Sequence, residues 1–152
     1  MASAKAVAAY IIQKANRMGN GNPELSGNND LTNLKLQKML YFAQVEYMKT
    51  HGGEVLFPDD IEAWQYGPVV KNVYEMLKHC QSYVISEFDV DLALIDDLSE
   101  SEINFLDAFC DKYLKYSAWE LVGKTHKAGS SWDRIYCGGK GNHEVIPISM
   151  MV

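Results

Sequence analysis

The densest apolar patterning in the chain falls between Leu31 and Val70. At a helical turn of about 100° per residue, Leu36, Met39, Leu40, Ala43 and Tyr47 share one arc, while Leu34, Tyr41, Val45 and Met48 form a second strip. One stripe makes a surface helix, whereas two make a helix covered from two sides. The spacing predicts a central helix over residues 32–51, with Thr32 as its N-cap and Gly52-Gly53 as its stop. Its polar wedge is expected to hold Lys35, Lys38, Glu46 and Lys49. Gln37 and Gln44 lie between the strips, where a buried amide has to find partners, and they are expected to tie neighbouring backbone to the helix.

Beyond this helix, Val55-Leu56-Phe57 and residues 61–64 read as short strands separated by the turn residues Pro58-Asp59-Asp60. Tyr66-Gly67-Pro68 follow. Gly67 takes a positive φ at little cost and Pro68 suits a first helical turn, so with Trp64 these residues form a structural motif expected to switch extended chain into helix. That helix carries Val69, Val70, Val73, Tyr74, Met76, Leu77 and Cys80 on one side. Upstream, residues 2–18 form an amphipathic helix with Val7, Ile11, Ala15 and Met18 inward. Gln13, Lys14, Asn16 and Arg17 follow its apolar run, which is not the pattern of a secretory leader. Residues 19–30, rich in Gly and Asn, read as a loop.

Downstream, a strand is expected around residues 83–88. Ser99 with Glu102 makes a capping box for a helix reaching about Tyr116, with Ile103, Leu106, Phe109, Cys110, Tyr113 and Leu114 inward and Asp107, Asp111 and Lys115 on a solvated side. Ser117 with Glu120 caps a second, shorter helix whose inner face holds Trp119, Val122 and His126, the imidazole beside Trp119 and bonded to backbone. Residues 128–132 make a turn at Trp132, and residues 138–144 make a loop that lacks the spacing of a phosphate-binding one. The sum is a mainly α, single-domain helical bundle over residues 1–152, built around a central helix, with a small antiparallel sheet from the segments near Val55, Ile61 and Val84.

Charge narrows the function. Fourteen Lys and Arg stand against 20 Asp and Glu, a formal charge of −6, which argues against a broad phosphate-binding surface. The lysines of the central helix are too sparse for one, and no helix-turn-helix pattern stands out. No apolar run approaches the roughly 18 residues of a membrane span. Cys80, Cys110 and Cys137 are an odd number with no close pair, which fits reduced thiols in the cytoplasm. Among titratable groups, His126, Cys137 and His143 could form part of a zinc site, but the spacing matches no common one. No nucleophile, base and orienting group stand together, so a catalytic site is not expected.

The runs LKLQKMLYFAQ, EAWQYGPV and YSAWELVGKTH, in this order between Leu31 and Tyr136, closely resemble the Panacea domain, a family of SocA-like antitoxins and GepA-like phage-associated proteins. The resemblance implies an antitoxin of a two-gene toxin–antitoxin system. Such a protein binds and neutralises a cognate toxin, directly or by delivering it to a protease such as ClpXP, with no cofactor. A DNA-binding regulator of a phage or mobile element, or an enzyme, is the alternative. Nothing in the runs themselves marks the interface. Exposed aromatics combined with acidic residues are expected there, which favours the surface of Asp107 and Asp111, near Trp132 and the loop at residues 19–30.

Overall fold

The computed structural model describes residues 2–18 and 30–151. The loop expected over residues 19–30 therefore lies, apart from Asp30, outside the described residues. The chain is mainly α with one small sheet, in the order α1 (Ala4–Met18), α2 (Asn33–Thr50), β1 (Glu62–Trp64), β2 (Gly67–Val69), α3 (Lys71–Leu77), α4 (Glu100–Tyr113), α5 (Ala118–Thr125), α6 (Ser131–Tyr136) and β3 (Glu144–Val145).

Helix α2 is the hub, packing against α1, α3, α4, α5 and β2. Thr32 caps it by accepting from the Lys35 amide at 3.3 Å. Both apolar strips are covered: Leu36, Met39, Leu40 and Ala43 on one, Tyr41, Val45 and Met48 on the other. The glutamines act as backbone ties. Gln37 Oε1 accepts from the Val70 amide at 2.8 Å, where the chain enters α3. Gln44 grips the 56–57 segment from both sides, donating to the Phe57 carbonyl at 2.8 Å and accepting from the Leu56 amide at 2.7 Å.

Two lysines of the supposed polar wedge are not on the surface. Lys35 and Lys38 are fully buried, whereas Glu46 is half-buried and Lys49 exposed. A long aliphatic stem packs like a hydrocarbon, provided the ammonium finds acceptors. Lys35 Nζ reaches Asp30 at 2.5 Å and the Leu114 carbonyl at 2.8 Å, and Lys38 Nζ donates to the Pro68 carbonyl at 2.7 Å.

The sheet also departs from expectation. Its order is β2-β1-β3, all antiparallel. Residues 55–57 are not a strand because Gln44 takes the backbone groups a ladder would need. Residues 83–88 are not one either: Ser86 and Asp89 close a capping box on a single 3-10 turn. The third strand comes from residues 144–145 instead, so the 138–144 segment is a built connection rather than a free loop. The Gly141 amide donates to the Tyr136 carbonyl at 3.0 Å, and the His143 amide to the Ala63 carbonyl at 2.7 Å. Gly67 and Pro68 lie within β2, and the helix they were expected to open starts only at Lys71.

Both expected capping boxes form, at Ser99 with Glu102 and at Ser117 with Glu120. Buried Leu106, Phe109, Cys110 and Tyr113 of α4 join the core beside Val7, Ile11 and Ala15 of α1. No helix of the described residues is long and apolar enough to cross a membrane.

Candidate functional site

The first turns of α2 form the floor of a groove of about 770 Å³. One rim is built by the β1–β2 turn and the start of α5, where Tyr66 and Trp119 meet edge to face at 5.7 Å. Each is more than half exposed, at 51% and 63%. The opposite rim carries Trp64, stacked on His143 at 4.3 Å with the rings 11° from parallel, and Tyr74, edge-on to Trp64 at 4.9 Å. Lys78, Gln81 and Ser82 extend that side, and among the described residues no carboxylate lines the groove.

Trp119 is outward because of the cap that starts α5. The Ser117 hydroxyl accepts from the Glu120 amide and the Glu120 carboxylate accepts from the Ser117 amide, both at 3.1 Å. That hydrogen bond holds the Glu120 carboxyl below its ordinary range. The box fixes the first turn so that Leu121, Val122 and Thr125 face inward and Trp119 faces the groove. The expectation that Trp119 packs inside with His126 is therefore corrected. His126 stacks on Trp132 instead, at 3.8 Å and 6°, and among the described residues its Nε2 has no hydrogen-bond partner. Burial and the nearby Lys38 both hold the imidazole below its ordinary pKa, so the ring is the neutral, stacking form.

Beneath the groove the family-like runs converge. Gly67 sits at φ +111°, and a Cβ there would lie 2.7 Å from Thr125 Oγ1 and 3.0 Å from Lys38 Cε. Lys38 fills the space that the missing side chain leaves, and burial draws its amine down to about 7. The amine reaches the Pro68 carbonyl and Thr125 Oγ1 donates to the Val122 carbonyl at 2.8 Å, so both polar groups are spent on holding β2 and α5 in place.

The surface expected at Asp107, Asp111 and Trp132 does not come together. Trp132 is buried, donating from Nε1 to the Trp64 carbonyl at 2.7 Å. Asp107 binds inward, accepting from the Tyr10 hydroxyl and from Lys14 Nζ at 3.2 Å. Asp111 is exposed. Nor do His126, Cys137 and His143 cluster: two of the three are stacked on different tryptophans. Sequence reasoning missed the groove because its rims are assembled from four separated segments. The available signal was that Trp119 follows a capping-box serine by two positions, in the first turn, where side chains often face outward.

Comparison with known proteins adds the following. A family model, Antitoxin SocA-like, Panacea domain, matches residues 36–133. Antitoxin SocA of Caulobacter vibrioides (strain NA1000 / CB15N) is 29% identical over 143 residues, covering 89% of this chain and 71% of that protein. No solved structure matches.

Proposed function

Because this chain belongs to the SocA-like antitoxin family of the Panacea domain, we propose that it neutralises a toxin protein in the cytoplasm by capturing a segment of it in the aromatic groove above the start of α2. The observation that carries this reading is the pair Tyr66 and Trp119, large rings more than half exposed at the rim of a concave site. Aromatic side chains around a concavity are the usual anchors of a protein interface. With no carboxylate among its described lining residues and Lys78 on its rim paired with Glu75 at 3.2 Å, the groove favours an apolar or aromatic segment that is close to neutral. This differs from the acidic face expected earlier for a basic partner.

Occlusion of the toxin and its delivery to a protease such as ClpXP both begin with this capture, and they part in the toxin's lifetime in the cell. The test is co-expression with the adjacent gene. That gene alone should arrest growth, this chain should restore it, and the purified pair should form a stoichiometric complex. Trp119→Ala and Tyr66→Ala should each weaken the complex by about 2 kcal/mol, roughly thirtyfold, and lose rescue while keeping the wild-type melting temperature. A neighbour without toxicity, or rescue untouched by both substitutions, would overturn the proposal. A shortened toxin half-life that needs the protease selects delivery; an unchanged half-life selects occlusion.

A further inference from the structure

After α3 the chain makes a 3-10 turn through Lys78–Cys80, and the 3-10 turn at Glu87–Asp89 folds back against it. This brings His79, Cys80 and Asp89 together, with one ligand atom from each lying within 4.8 Å of the others. From this convergence we infer that His79 Nε2, Cys80 Sγ and Asp89 Oδ1 form a zinc site with three protein ligands and a fourth, solvent-facing position.

Edge lengths support it. For zinc bonds of ordinary length, tetrahedral coordination separates nitrogen from oxygen by about 3.4 Å and nitrogen from sulfur by about 3.6 Å. Here Nε2 lies 3.3 Å from Oδ1 and 3.5 Å from Sγ. The ligand set is oriented before any ion arrives, because the other Asp89 oxygen, Oδ2, accepts from the Ser86 amide at 2.8 Å and leaves Oδ1 to face the histidine. Half-exposed His79, at 58%, gives an entry path, while the thiol lies inside.

A cysteine–histidine–aspartate catalytic arrangement is the competing use of these residues. It needs the imidazole to serve the thiol with one nitrogen and the carboxylate with the other. Here both partners point at the same nitrogen, which suits one central ion and not a proton relay. Zinc binding replaces the thiol proton, which leaves to solvent, and involves no change of oxidation state. A mixed nitrogen, sulfur and oxygen set selects zinc over magnesium or calcium, which demand oxygen ligands.

The purified full-length chain, reduced and stripped with chelator, should bind one zinc ion per chain in competition with a fluorescent chelator, and should not bind magnesium. Cobalt substitution should give a thiolate charge-transfer band. His79→Gln and Asp89→Asn, the latter keeping an oxygen that can accept from the Ser86 amide, should each weaken zinc binding by roughly tenfold or more. Cys80→Ser should remove the cobalt band, whereas Cys137→Ser should leave both readouts unchanged. Sub-stoichiometric zinc in the wild type, or binding that follows Cys137 and ignores the other three residues, would overturn the site.

Discussion

Gly67 shows how one missing side chain organises its surroundings. Its φ of +111° is disfavoured for any residue with a Cβ, and the space such an atom would need is taken by Thr125 and the Lys38 stem. Gly67→Val should therefore cost at least about 1 to 3 kcal/mol, read as a lower urea midpoint, and lose partner binding only through unfolding. A variant with the wild-type midpoint that nonetheless fails to bind would move Gly67 into the interface. Lys38 yields a pH test. Its amine is held at about 7 against an ordinary 10.5, so between those values the unfolded chain binds a proton that the folded chain does not. Stability therefore rises with pH, by up to about 1.4 kcal/mol per unit. Above pH 9 the Cys110 thiol, pushed up to about 12 by burial, works in the opposite sense, because the unfolded chain loses that proton first. The window is pH 7 to 9. There the urea midpoint should climb in the wild type and stay flat in Lys38→Met, and a retained slope in the variant would mean another group titrates.

Among the elements, α2 carries the largest share of the core, and Leu40 is fully buried within it. Leu40→Ala should lower stability by about 2 to 5 kcal/mol through the cavity it leaves, and a change under about 1 kcal/mol in chemical denaturation would contradict the packing described. This helix was legible in the sequence because its two apolar strips, its Thr32 cap and its two buried glutamines are all local signals. The capping boxes at Ser99 and Ser117 were legible for the same reason. The lysines were not, because charge alone marks Lys35 and Lys38 as wet, and only the positions of the Leu114 and Pro68 carbonyls reveal their acceptors. The strands escaped as well. Each has two or three residues, too few for an alternating pattern, and β1 finds its second neighbour about eighty positions downstream.

For the whole molecule, the lesson lies in how aromatic and charged groups are distributed. Trp119 and Trp132 exchange the roles suggested by their local sequence: the first is at the surface and the second is a stacked, hydrogen-bonded core ring. The acidic residues are not equivalent either. Asp107 joins α4 to α1 through Tyr10 and Lys14, whereas Asp111 is exposed on the same helix. Asp107→Ala should thus destabilise the fold by about 1 to 3 kcal/mol by stripping a partly buried hydroxyl of its acceptor. Asp111→Ala should stay within about 0.5 kcal/mol. Thermal unfolding of the two variants separates them, and capture of the toxin should survive Asp111→Ala.

The stacking of Trp64 on His143 also bears on the order of events during synthesis. A ribosome delivers Trp64 well before His143. Until residues 143–146 have left the exit tunnel, β1 has an unpaired edge, the Ile61 and Ala63 carbonyls wait for the amides of Ile146 and His143, and one wall of the groove lacks the ring that stacks on Trp64. The nascent chain can fold α1 and α2 before then, but its aromatic wall is finished only after His143 has emerged. On the proposed reading, a toxin released nearby meets no working antidote until residues 143–146 have emerged.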